Sequence, residues 1–149
     1  MQKVFLNFTS FVQNHQKELT AVSALQIVLS CLILFLSALI VIFYLRKLKK
    51  SRFHYLMFSL ISASEIMLIA VSLLALIGVK ITLQARSEYG SNELNATIVD
   101  DWSRTVTRLV YAGTFLLWGA LQAIGIAVNL FVVQYWLVAK KLTLAVTSS

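Results

Sequence analysis

The chain has 149 residues, enough for one domain; 59% of them are hydrophobic and only 13% are charged. A soluble domain is about one quarter charged, and with a mean hydropathy of +0.82 this chain would expose more apolar surface than water tolerates, which excludes an ordinary soluble protein. The net charge of +7 sits between apolar runs, so it reads as membrane orientation and not as nucleic-acid binding.

Residues 1–20, MQKVFLNFTSFVQNHQKELT, lack the continuous apolar core and the small-residue cleavage site of a signal peptide. Met1, Val4, Phe5, Phe8, Phe11 and Val12 recur at helical spacing, opposite Gln2, Lys3, Asn7, Ser10 and Asn14. The spacing predicts an amphipathic helix lying in the membrane interface with its phenylalanines down, or else packing that stripe on neighbouring protein.

Three apolar runs follow, at 22–45, 53–83 and 106–139. Each meets the requirement of about 20 residues for crossing the hydrocarbon core. Three spans cannot close a barrel and every backbone amide needs an internal partner, so each run must be a helix. No proline occurs anywhere to force a kink. The segment 46–52 carries Arg46, Lys47, Lys49, Lys50 and Arg52 with no acidic residue, and Lys140 and Lys141 open the tail 140–149. Residues 84–105 mix both signs of charge and read as a polar loop. The positive-inside rule puts 46–52 and the C-terminus on the cytoplasmic or matrix side, and the N-terminus and 84–105 opposite.

The sequence thus predicts an all-α integral membrane protein with three transmembrane helices and an N-terminal amphipathic interfacial helix, N-terminus outside and C-terminus inside. It leaves the compartment open between the secretory pathway or plasma membrane and the mitochondrial inner membrane. The basic cluster at 46–52 also suits anionic headgroups, which makes membrane lipids expected partners. Two glycosylation sequons, NFT at Asn7 and NAT at Asn95, fall on the expected outer side, and Asn95 is the better acceptor because Asn7 lies within the interfacial helix.

Glu65 stands near the middle of the second span, in SLISASEIMLIA. An unpartnered charge there costs about 2.5–3.5 kcal/mol, so it should face protein or water. Helical spacing puts Ser62, Ile69 and Ser72 on its face. Spans two and three run antiparallel, so Gln122 falls at the depth of Glu65 and is the expected hydrogen-bond partner, directly or through Ser62. Asn129 lies deeper toward the basic side. Gly119, Ala123 and Ala127 repeat every four residues and form a close-packing edge on the third span.

No catalytic, cofactor or metal site emerges from the residues. The lone Cys31 rules out cysteine zinc clusters within one chain, and His15 and His54 are expected on opposite sides of the membrane. No nucleophile–base set and no glycine-rich phosphate loop occurs, so no enzyme activity, cofactor or small-molecule substrate is expected.

The first two spans resemble the start of a seven-helix receptor. Ser37 stands where such receptors carry a first-helix asparagine, and Glu65 stands where they carry a second-helix aspartate. LLWGALQAIGIAVNLFVV is similar to the third helix of cyclic-AMP-type receptors. The pattern departs at Ser37, at the start of span three, which lacks a cysteine, and at its end, which lacks an Asp-Arg-Tyr-like motif. The leading expectation is a non-enzymatic accessory or scaffolding subunit of a larger membrane complex, docking on other transmembrane subunits through small-residue faces and the N-terminal helix. A receptor-like protein is the alternative that the resemblance implies, and a small homo-oligomeric channel or carrier using Glu65 is the next.

Overall fold

The computed structural model describes residues 2–45, 52–91 and 95–148, and every one of them except His15 is helical. Helix α1 covers Gln2–Asn14, α2 Gln16–Ile40, α3 Arg52–Ser91 and α4 Asn95–Ser148. A π-helical turn, Val41–Leu45, carries on from α2, and the Val41 N–H meets the carbonyls of both Ser37 and Ala38 at the join. Three of these helices are long and apolar enough to cross a membrane, over Gln16–Phe43, within Tyr55–Tyr89 and within Ala96–Ser148.

The N-terminal helix is shorter than the 1–20 expected. It breaks at His15, whose ring stacks on Phe11 and hydrogen-bonds the Phe11 carbonyl at 3.0 Å, and Lys17–Thr20 belong to α2. Of the polar loop expected over 84–105, residues 84–91 and 95–105 are helical, and 92–94 lie outside the described residues. No proline stops either helix, and short-range pairs satisfy the polar side chains along them. Gln84 donates to Glu88 at 3.3 Å, Arg104 pairs with Asp100 at 3.3 Å, and Thr105 and Thr107 bond carbonyls one turn back. The tail expected over 140–149 continues α4 as helix to Ser148. At 1.5 Å per residue, the 40 residues of α3 and the 54 of α4 reach about 60 and 80 Å, so both outrun a hydrocarbon core of about 30 Å.

α3 lies in the middle. It packs on α4 along one side and on α2 along another, while the backbones of α2 and α4 come nowhere within 8 Å, Cα to Cα, among the described residues. The spans therefore form a row. The α4 side of the α3–α4 seam follows alternating three- and four-residue steps: Val99, Trp102, Val106, Leu109, Gly113, Leu116, Ala120, Ala123 and Ala127 are all buried or half-buried. A 3.5-residue period of this kind keeps one stripe of a helix facing its neighbour over many turns. Alanines fill it at the end away from α1, which lets the two backbones run close.

α1 crosses one end of the row and touches α2, α3 and α4. Phe5 is fully buried in a cluster with Ala85, Val99 and Trp102, and Leu6, Ile81 and Tyr89 pack around it. That end is called the α1 end below.

Candidate functional site

Burial places the acid of the second span inside protein: Glu65 is 7% exposed. Glu65 lines an open pocket of about 440 Å³ between α3 and α4, walled otherwise by Met57, Ile61, Ser64, Ile124, Ala127, Val128 and Phe131. Every wall residue except Ser64 is apolar, and the Ser64 hydroxyl is already spent on the Ile61 carbonyl at 2.7 Å. The Glu65 Oε2 is sealed from solvent and has no hydrogen-bond partner among the described residues. A buried acceptor left unmatched in this way costs about 1–3 kcal/mol, and more when it carries charge.

Gln122 does not supply the missing bond, which corrects the expectation from sequence. Antiparallel packing does bring its level to that of Glu65, as the approach of Met67 to Gly119 shows. Gln122, however, sits two residues past Ala120, about 200° around the helix from the seam, and is exposed. Asn129 stands two residues past Ala127 and is exposed for the same reason. Ser62 turns toward α2 and lines a different pocket with Leu34, Ser37 and Ala38.

The small-residue edge of span three faces inward. Ala123 and Ala127 are buried against α3, and a Cβ on Gly119 would stand 3.2 Å from the Met67 sulfur. The fit is close there, and the edge expected to dock a partner already holds the chain's own α3. Arg46, Lys47, Lys49 and Lys50 lie outside the described residues, as do the side chains of Arg52 and Asn95. Asn7 is exposed on α1, but the threonine of its sequon is not: Thr9 is fully buried, donates to the Phe5 carbonyl at 2.7 Å and accepts from Arg86 at 3.2 Å.

At the α1 end the structure brings together residues that the sequence reading did not connect. Phe5 meets Trp102 edge-on at 5.0 Å and Tyr89 at 5.1 Å, and Phe8 meets Trp102 at 5.7 Å. The Trp102 indole N–H donates to Thr82 at 3.2 Å, and the Thr82 hydroxyl donates to the Gly78 carbonyl at 2.7 Å. Beneath this layer lies a crevice of about 490 Å³, roofed by Phe8, Phe11 and Val12, floored by α3 from Val71 to Gly78, and walled by Leu19 and Leu109. It exists because α2 and α4 do not meet over α3. One signal was available in the sequence, since Val99, Trp102 and Val106 continue the stepping of the α4 seam beyond the apolar run.

Chemically, the arrangement offers one buried carboxyl oxygen without a partner, and apolar walls. The described residues contain no group of three His, Cys, Asp or Glu side chains placed to hold a metal ion. In comparisons with known proteins, no family model, no curated protein and no solved structure matches the chain.

Proposed function

We propose that this chain is a non-enzymatic subunit of a membrane assembly that works by docking against further transmembrane helices. The observation that carries the reading is Glu65, a nine-tenths buried carboxylate with an unmatched oxygen beside an open apolar pocket. A neighbouring helix that brings a hydrogen-bond donor into that pocket would satisfy the acid once the Glu65 side chain turns toward it, and would cover the apolar walls at the same time. The row arrangement supports this, because α2 and α4 leave both flanks of α3 partly uncovered. In this proposal the α1 end faces the non-cytoplasmic side, α1 rests at the interface, and the basic segment 46–52 holds anionic headgroups on the other face.

Native co-purification with mass spectrometry tests the reading, comparing the wild-type chain with Glu65→Met, which preserves volume. Removing one member of a buried polar pair costs about 2–5 kcal/mol, so recovery of membrane partners should fall at least about ten-fold while the chain itself stays folded. Partner recovery unaffected by the substitution, or a chain that runs alone in mild detergent, would overturn it.

A second reading, a receptor-like protein, is favoured by the serial order of the row. Each span packs on the next in the chain and the first does not reach the third, as in consecutive helices of a larger bundle. It requires display at the cell surface and a glycan at Asn95, which surface labelling and deglycosylation would detect.

A further inference from the structure

We infer that α4 carries a second, outward seam built for a second copy of this chain, parallel and in register. This deepens the assembly reading by naming one partner, and it uses a face remote from the Glu65 pocket floor. Trp118, Gln122, Gly125, Asn129, Val132 and Trp136 follow the same alternating steps as the inward seam but are shifted by two residues. A two-residue shift is about 200°, so this stripe lies on the back of α4. All six residues are exposed; Trp118 is 60% and Trp136 59% exposed.

Bulk apolar side chains on such a face need no explanation in lipid. Two amides and a glycine do. Gln122 and Asn129 lie about 10 Å apart along the axis, both exposed and neither in a hydrogen bond among the described residues. Hydrocarbon offers an amide nothing to bond, so polar side chains in spans turn toward protein. Gly125 lies between them, and a Cβ there would meet nothing within 4 Å. Packing within the chain therefore does not require glycine at this position, whereas Met67 stands close at Gly119. A glycine between two amides on a 3.5-residue stripe lets another helix backbone approach and the amides bond across.

Self-complementarity selects the occupant. Two copies inserted with the same topology are parallel, and across a two-fold axis each residue meets its own counterpart at the same depth. An amide carries both donors and an acceptor, so Gln122 and Asn129 can each pair with themselves, which a carboxylate such as Glu65 cannot do without a proton. A polar residue in an otherwise apolar seam also fixes register, which suits a pairing of identical helices.

Disulfide scanning of the full chain in membranes tests this, in a Cys31→Ser background that leaves no other thiol. Gly125→Cys and Asn129→Cys should cross-link to a dimer at least about ten-fold faster than Leu117→Cys and Ile126→Cys, which lie on the two flanks of α4. Gly125→Leu, which the chain's own packing accommodates, should weaken the dimer at least about ten-fold, and Asn129→Leu about three-fold, whereas Asn129→Gln should retain it. Equal cross-linking on all faces, no cross-linked dimer on the seam, cross-links to a different protein, or a dimer indifferent to Gly125→Leu would each overturn the inference. Because the chain's other membrane partners are scored separately, a lost dimer with those partners retained refutes this inference alone. A retained dimer with Glu65-independent partners refutes the docking reading alone.

Discussion

Replacing Phe5 with alanine tests what fastens α1 to the rest of the chain. Phe5 is fully buried, and its ring contacts Trp102 at 5.0 Å and Tyr89 at 5.1 Å. In water-filled surroundings the loss would include about 1.5–3 kcal/mol of apolar burial. A released α1 would instead settle its phenylalanines into the bilayer interface, which returns most of that term. What remains lost is the pair of ring contacts, worth about 0.5–1.5 kcal/mol each beyond area. The opening equilibrium of α1 should therefore shift by about 1–3 kcal/mol, or about 5- to 150-fold. Two assays read it. Amide exchange over Gln2–Asn14 should accelerate by that factor while α3 is unchanged. Acrylamide quenching of Trp102, in a chain with Trp118 and Trp136 replaced by phenylalanine, should rise because Trp102 is only 8% exposed while Phe5 covers it. Unchanged exchange and an indole still shielded after Phe5→Ala would refute the claim that this cluster holds α1.

Thr82→Val removes the acceptor of the Trp102 indole N–H and leaves a buried donor unmatched, so the chain should lose about 1–3 kcal/mol in thermal unfolding in micelles. At Gly119, alanine should cost less than about 1 kcal/mol, because the atom in its way is the flexible Met67 thioether, whereas leucine should cost about 1–3 kcal/mol by pushing α3 and α4 apart. In microsomal translation, a chain inserted as expected should carry one glycan, lost with Asn95→Gln and unaffected by Asn7→Gln, because folding encloses the Thr9 hydroxyl of the Asn7 sequon. Two glycans would show that α1 stays away from Arg86 long enough to be modified.

What was legible in the sequence is what one-dimensional pattern encodes. Three apolar runs gave three span-length helices, and the antiparallel order of spans two and three set Glu65 level with Gln122. Rotation about the helix axis was not legible. Gly119, Ala123, Ala127 and Gln122 lie within a few residues of one another, and apolar length alone does not say which faces α3. The steps from Val99 to Ala127 do say so, and they turn Gln122 outward. The helical ends of α3 and α4 were hidden for another reason. Mixed charge resembles a loop, but charges spaced four apart, as in Arg104 and Asp100, also stabilise a helix that has left the membrane. The Phe5 cluster escaped notice because Phe5 stands far along the chain from Ala85, Val99 and Trp102.

The two ends of the row differ in how they are held, and that difference bears on the docking proposal. At the α1 end, hydrogen bonds link α3 to α4 through Thr82 and Trp102 and α3 to α1 through Arg86 and Thr9, around a core of aromatic rings. Directed contacts between rings and polar groups have few alternative arrangements, so this end has one well-defined packing. Further along, the α3–α4 seam passes to Ala120, Ala123 and Ala127, which pack closely but present no rings and no polar groups to lock rotation. Glu65 sits in that stretch with an unmatched oxygen. A helix arriving there with a donor changes the balance of a seam held by dispersion alone, whereas the same helix at the α1 end would have to displace formed bonds. In the docking proposal, coupling between partner and chain is therefore concentrated at Glu65, with the α1 end as the fixed frame against which α4 is positioned.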